Sequence, residues 1–258
     1  MNTTLITGAS SGIGAAFARK LAARGRNVLL VARSEDKLIT LCNELGRLSG
    51  IRAHYYTLDL LKPGAAAELM EETTRRELVI DMLVNNAGFG SMGDFTGQDL
   101  ARELEMIDLN IKSLVDLTYR FLGPMRERGQ GTIINVASTA GFQPVPYMAT
   151  YAGTKAFVLS FSEALWEENR EFGVHVMALC PGVTDTNFFA ASQMGRPPLR
   201  TIETAEDVVE TALRGLRHRK ASVISGWANW LQVEAERFVP RSVVTKIAGK
   251  AIRSQLEE

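Results

Sequence analysis

Apolar residues along this chain fall into two alternating kinds of run. Short stretches rich in β-branched and aliphatic residues occur at Thr3–Thr7, Asn27–Ala32, Arg52–Leu58, Asp81–Asn85, Thr132–Ala137, Val174–Leu179 and Ala221–Ser225. Unbroken apolar runs of this length, such as Val28-Leu29-Leu30-Val31, suit strands buried on both faces of a parallel sheet. Between them lie longer segments whose apolar side chains recur every three or four residues, as Leu38, Leu41, Leu45 and Leu48 do; that is the spacing of one helix face. Helices are predicted from the glycines after the first strand until Arg24-Gly25, then over Glu35–Leu48, Ala65–Glu77, Leu100 to Phe121, Tyr151 towards Phe172, and Ala205–Arg217. Regular alternation of strand and helix predicts an α/β fold, a doubly wound parallel sheet of seven strands with helices on both faces and right-handed crossovers. No repeat, low-complexity tract or linker interrupts it, so the core is expected to run as one domain over residues 1–226. The stretch Thr184–Ile202, with Gly195, Pro197 and Pro198, is too polar and broken to be core.

Composition narrows the function classes. The 258 residues are 46% hydrophobic and 22% charged, and Lys+Arg and Asp+Glu both number 29. Such a balance gives no electrostatic footprint for nucleic acid or an acidic partner. Cys42 and Cys180 lie in apolar patterns and are read as buried thiols of a reducing compartment. His54, His175 and His218 are scattered without ligand spacing, so no metal is expected. The N-terminus already reads as a strand and no apolar run reaches bilayer length, so a cytoplasmic protein is expected.

The chemistry begins at Gly8-Ala9-Ser10-Ser11-Gly12-Ile13-Gly14, between the first strand and the first helix. Backbone amides at a helix N-terminus bind phosphate, and glycines let the chain approach a pyrophosphate closely. A Rossmann dinucleotide site is therefore expected, although the spacing is not G-x-G-x-x-G. A carboxylate at the end of the second strand would select NAD, whereas Arg accommodates the extra phosphate of NADP. Here that strand is followed by Arg33 and Ser34, with Glu35 and Asp36 falling in the next helix's first turn. NADP(H) is expected, with NAD(H) as the alternative. Asp59 and Leu60 follow the third strand at the adenine edge, and Asn86, Ala87 and Gly88 follow the fourth. A helix cap and a plain turn are the structural alternatives for these two sets.

Tyr151 and Lys155 are four residues apart on a predicted helix and so share a face. A neighbouring ammonium favours phenolate, so Lys155 is expected to lower the Tyr151 pKa and make the phenol an acid/base near neutrality. In order, Thr7-Gly8-x-x-x-Gly12-x-Gly14, Asn85-Asn86-Ala87-Gly88, Asn110, Ser138, Tyr151-x-x-x-Lys155 and Pro181-Gly182 resemble the motifs of short-chain dehydrogenases/reductases over about Thr3 to Ser225.

The resemblance implies Tyr151 as general acid, Lys155 on the nicotinamide ribose, Ser138 on the substrate oxygen, and Asn110 holding a water behind Lys155. It also implies that Pro181, Gly182, Val183 and Thr186 pack on the nicotinamide. Family members commonly carry Thr two residues after the Val; here Asp185 stands there, flanked by Thr184 and Thr186. The activity implied is NADPH-dependent reduction of a ketone, hydrophobic or 3-oxoacyl in type, to a secondary alcohol. The alternatives are a broad-specificity reductase of small alcohols, hydroxy acids or sugars, and a non-catalytic NADP(H) sensor or scaffold.

Residues 227–258 depart from the resemblance as an amphipathic helical extension. Trp227, Trp230, Leu231 and Phe238 are expected to share one face, and Val244, Ile247, Ala248 and Ala251 another, with Arg241, Lys246, Lys250 and Arg253 nearby. Packing on the protein's own surface or a subunit contact is the first expectation. Peripheral membrane contact and a lid formed with Phe188, Phe189 and Met194 are the others. A homo-oligomer is expected, a dimer built on the two long helices or a tetramer.

Overall fold

A computed structural model describes residues 2–47, 50–186, 188 and 202–256. The chain alternates β1 (Asn2–Thr7), α1 (Gly12–Ala22), β2 (Asn27–Ala32), α2 (Glu35–Leu45), β3 (Ala53–Thr57), α3 (Ala65–Arg75) and β4 (Val79–Asn85). It continues through α4 (Leu100–Ile107), α5 (Leu114–Glu127), β5 (Gly131–Val136), α6 (Ala149–Glu168) and β6 (Val174–Cys180). Short strands β7 (Thr184–Asp185) and β8 (Glu203–Thr204) precede α7 (Ala205–Arg217), β9 (Ser222–Ile224), α8 (Trp227–Glu236) and α9 (Arg241–Leu256). The main sheet has seven strands in the order β3-β2-β1-β4-β5-β6-β9, and every neighbouring pair is parallel. The doubly wound arrangement read from the pattern is the one found.

Side chains of successive strand residues point to opposite faces, and both faces are covered. Ile6, Leu30, Val84 and Ile134 meet Phe17, Leu38 and Val208 from α1, α2 and α7. Their neighbours Leu5, Leu29, Leu83 and Ile133 meet Leu69, Leu117 and Phe121 from α3 and α5. This double burial explains why the strands read as continuous apolar runs. The chain reverses direction of travel across the sheet between β1 and β4, so their carboxyl ends open the crevice where ligands bind in open α/β sheets.

Three departures from the sequence reading have physical causes. The helix expected over Leu100–Phe121 reaches Glu127 and contains a π-helical turn at Asp108–Ser113, where the side chain of Asn110 is drawn inwards. The broken stretch after β6 opens with β7, which pairs with β8; residues 187 and 189–201, among them Phe189 and Met194, lie like Leu48 outside the described residues. In the extension, the face read as packing on the protein's own surface or at a subunit contact is turned away from this chain's own core. Trp227, Trp230 and Phe238 are 78%, 53% and 89% exposed, while Val233 is buried. Asn229 Nδ2 donates to the Ser225 carbonyl at 2.7 Å and to Glu203 Oε2 at 3.3 Å. Those bonds fix the rotation of α8 with its polar residue inside. Among the described residues, no helix is long and apolar enough to cross a membrane.

Candidate active site

A cavity of about 640 Å³ runs along the carboxyl edge of the sheet, from Arg33 past the glycine turn to Tyr151. The turn is built by close approach. Gly8 has φ 63 and Gly12 φ 53, in the left-handed region that favours glycine. A Cβ at Gly14 would stand 2.4 Å from the Gly8 carbonyl oxygen, so only glycine lets α1 begin there. Asn86 fastens the turn from the next strand, its Nδ2 donating to the carbonyls of Thr7 (3.0 Å) and Gly8 (3.2 Å). Thr7 Oγ1 in return accepts from the backbone N–H groups of Asn86 and Ala87, both at 3.0 Å. The β1–β4 crevice is thereby held at a fixed width. Gly8, Ser10, Ser11, Gly12 and Ile13 face the cavity, whereas Gly14 stands behind the wall as a packing residue.

These features fit a dinucleotide. The N-cap residue of α1, Ser11, makes no side-chain cap and the first turn carries no acidic residue, so its amides and positive dipole end suit a phosphate. At the far end Arg33, Ser34 and Lys37 line the cavity together. Lys37 was missed in the sequence; its signal is its place in the first turn of α2, which starts at the strand edge where ligands bind. Asp59 and Leu60 also line this end. Asp59 Oδ1 accepts from the Leu61 N–H at 3.1 Å, closing a local turn, and Gly64 rather than Asp59 is the N-cap of α3.

On the other side stand the phenol, the amine and the serine. Tyr151, 8% exposed, and Lys155, 6% exposed, project from the first two turns of α6 into the cavity wall. Lys155 Nζ donates to the Val136 carbonyl at 2.8 Å. Ser138 follows β5, and its Oγ accepts from the Ala140 N–H at 3.1 Å, so the hydroxyl caps a short turn while lining the cavity. Burial pushes the Tyr151 phenol up to about 12, and a side-chain hydrogen bond with Ser138 acts in the opposite direction. Burial also brings Lys155 down to about 8. The expected depression of Tyr151 by Lys155 is thus not what this structure gives. The ammonium is aimed at a backbone carbonyl, and desolvation dominates both groups.

Asn110 is not on the cavity wall. Its Nδ2 donates to the Phe89 carbonyl (2.9 Å) and Thr154 Oγ1 (3.1 Å), and its Oδ1 accepts from the Phe89 N–H (3.2 Å). Thr154 Oγ1 in turn donates to the Tyr151 carbonyl at 2.7 Å. The π-helical turn therefore ties the loop after β4 to the Tyr151 helix; π-bulges are frequent at functional sites. A Cβ on Gly88 would lie 2.7 Å from Asn110 Oδ1, which accounts for glycine beside Ala87 on the wall.

Pro181, Gly182, Val183 and Thr186 close the wall opposite. Thr184 donates to the Gly182 carbonyl at 3.1 Å, while the Thr186 methyl would stand 3.0 Å from a Cβ on Gly12. Thr186 is thus the threonine laid against the glycine turn. Met92, Arg102, Leu109, Met148, Phe188 and Ile252 extend the cavity beyond Tyr151, with the Tyr151 and Phe188 ring centroids 5.6 Å apart. Apart from Phe188 these had no motif to mark them. They come from separate elements that only the fold brings together.

Comparisons with known proteins agree with this geometry. The sequence pattern of the family described as short chain dehydrogenase matches residues 2–196. The monensin polyketide synthase putative ketoacyl reductase of Streptomyces virginiae is 40% identical over 211 residues, 80% of this chain and 79% of that protein. The very-long-chain 3-oxoacyl-CoA reductase of Rattus norvegicus is 31% identical over 228 residues, 85% of this chain and 70% of that protein. Among solved structures, a short-chain dehydrogenase from Sphingobium yanoikuyae in complex with NADPH superimposes with a TM-score of 0.83 at 33% identity, over 92% of this chain and 94% of that one.

Proposed function

The chain belongs to the short-chain dehydrogenase family and is an NAD(P)-dependent oxidoreductase of ketones and secondary alcohols; on that premise we propose that it uses NADPH to reduce a ketone bearing an apolar group, with 3-oxoacyl chains as the leading class. One observation carries the reading: Ser138, Tyr151 and Lys155 line one continuous cavity with the glycine turn and with Arg33 and Lys37. The relatives named for ketoacyl and 3-oxoacyl substrates support the substrate class. Two cations beside Ser34 support NADPH over NADH, because a 2′-phosphate is recognised by positive charge.

In this reading Ser10, Ser11, Gly12 and Ile13 present α1's N-terminal amides to the pyrophosphate. Asp59 and Leu60 flank the adenine, and Ala87 and Gly88 form the floor between the two halves. Pro181, Gly182, Val183 and Thr186 hold the nicotinamide side, and Lys155 holds the ribose hydroxyls. When bound, NADPH supplies the hydride. Ser138 orients the carbonyl oxygen, and Tyr151 donates the proton to it. Burial keeps that proton on the phenol across the physiological range, which is the form a general acid requires in the direction of reduction. Asn110 acts as the brace between Phe89 and Thr154 and so fixes the Tyr151 helix.

Assembly belongs to the same proposal. Leu104 on α4 and Phe157 on α6 are 53% and 40% exposed, and a dimer through these two helices would cover them. The two free cysteines and the use of NADPH suit the cytoplasm. Exposed Trp227, Trp230 and Phe238 are the surface through which peripheral membrane contact would occur, which vesicle sedimentation tests. The activity is tested by NADPH oxidation over a panel of 3-oxoacyl thioesters, alkyl ketones and hydroxy-acid precursors. Turnover of the first two classes supports the proposal; turnover confined to small polar carbonyls, or binding of NADPH without any turnover, contradicts it.

A further inference from the structure

The C-terminal extension reaches the reaction cavity. Ile252, three turns into α9, lines the same cavity as Tyr151, Met148 and Phe188. Two contacts fix it there. Arg253 Nε donates to Tyr147 Oη at 2.9 Å, with the guanidinium carbon 5.9 Å from the ring centroid. One turn earlier, a Cβ on Gly249 would lie 3.1 Å from Pro146 Cγ, so helix and loop are already at close approach.

The loop that receives α9 is itself over-determined. Tyr147 adopts φ 65, a left-handed conformation uncommon for a bulky residue. It is held at both ends, its carbonyl accepting from the Gly93 N–H at 2.8 Å and its phenol accepting from Arg253. Backbone strain of this kind persists where surrounding structure enforces it, and it clusters at ligand sites. Met148 follows directly, is the N-cap residue of α6, and faces the cavity.

We infer that α9 is the outer wall of the substrate end of the cavity and that Ile252 is a specificity-determining residue there, setting the length of apolar chain the ketone carries. The inference rests on the ketone-reduction reading and deepens it. Met92, Met148, Phe188 and Ile252 offer thioether, aromatic and aliphatic surface, which rewards each methylene of a substrate chain by area removed from water. Arg253 and Gly249 position the wall, and neither touches the reacting atoms in this account.

The test measures kcat/KM for methyl ketones from 2-butanone to 2-undecanone with wild type, Ile252→Ala and Ile252→Trp, alongside NADPH affinity from its fluorescence. Hydrophobic pockets discriminate about tenfold or more per methylene-sized change. Ile252→Trp is therefore expected to lower the long-to-short ratio about tenfold and Ile252→Ala to raise it several-fold, with NADPH affinity held within about twofold. A ratio unmoved by both variants, each melting like the wild type, would overturn the inference while leaving ketone reduction intact. A wild type inert towards every ketone yet binding NADPH would remove the reduction reading and this inference together.

Discussion

Lys155 lies one helical turn beyond Tyr151, with its Nζ 5.8 Å from the Tyr151 ring centroid and 2.8 Å from the carbonyl oxygen of Val136. Both side chains are buried, and burial moves them in opposite directions, the phenol up to about 12 and the amine down to about 8. The two groups thus favour a protonated phenol, and the ammonium is anchored to β5 rather than to the phenol oxygen. That anchoring sets the direction of the Lys155 side chain.

A pH signature of stability follows from Lys155. Between about 8, its folded value, and 10.5, its ordinary one, the unfolded chain binds a proton that the folded chain has released. Stability therefore rises with pH across that window. Above pH 10 Tyr151 opposes this, since the folded phenol keeps its proton longer than the unfolded one. Urea unfolding between pH 8 and 10 is expected to show a steeper rise for wild type than for Lys155→Met. Parallel slopes would contradict the burial of a chargeable amine at this position.

In the proposed NADPH reading, cofactor choice rests on Arg33 and Lys37, which line the cavity with Ser34. Arg33→Ala is expected to weaken NADPH binding about tenfold or more, the loss of one charge-assisted contact, while NADH binding changes little. Lys37→Ala should act in the same sense and more weakly. Equal effects on both nucleotides, read by fluorescence titration, would assign these residues to general electrostatics.

Gly14→Ala places a methyl 2.4 Å from the Gly8 carbonyl oxygen and 2.6 Å from Asn86 Nδ2. Overpacking of this kind costs about 1–3 kcal/mol, so the thermal midpoint should drop by several degrees and NADPH binding should weaken with it. A midpoint equal to wild type would show that the turn relaxes freely.

Much of this was legible because the informative residues are constrained by backbone geometry. The glycines of the first turn, the strand runs such as Val28-Leu29-Leu30-Val31, and the Tyr151–Lys155 spacing each carry their structural consequence in a few adjacent positions. What was not legible depends on rotation or on distance in the chain. Trp227 and Trp230 fall on an apparent packing face, yet the bonds from Asn229 to Ser225 and Glu203 turn that face outwards. Lys37 and Ile252 enter the cavity from opposite ends of the chain, and no local pattern announces either. The fate of a buried charge was also out of reach, since the sign of the Tyr151 shift depends on desolvation, which only packing sets.

Asn110 separates two roles cleanly. As a brace, its side chain satisfies the Phe89 backbone and Thr154, and Asn110→Ala should lower stability by about 1–3 kcal/mol because buried polar partners lose their bonds. As a water-holding group alone, it would reduce kcat and leave the urea midpoint unchanged. The brace predicts that both fall together.

The central claim is that the Tyr151 phenol delivers the proton while Ser138 and Lys155 hold the reactants. The most direct measurement compares Tyr151→Phe with wild type in NADPH-dependent reduction of a 3-oxoacyl thioester or alkyl ketone, with NADPH affinity determined on the same samples. The account predicts a fall in kcat of about 10²–10⁴-fold, the usual worth of a positioned general acid, with NADPH affinity unchanged. Turnover by Tyr151→Phe at the wild-type rate would contradict it.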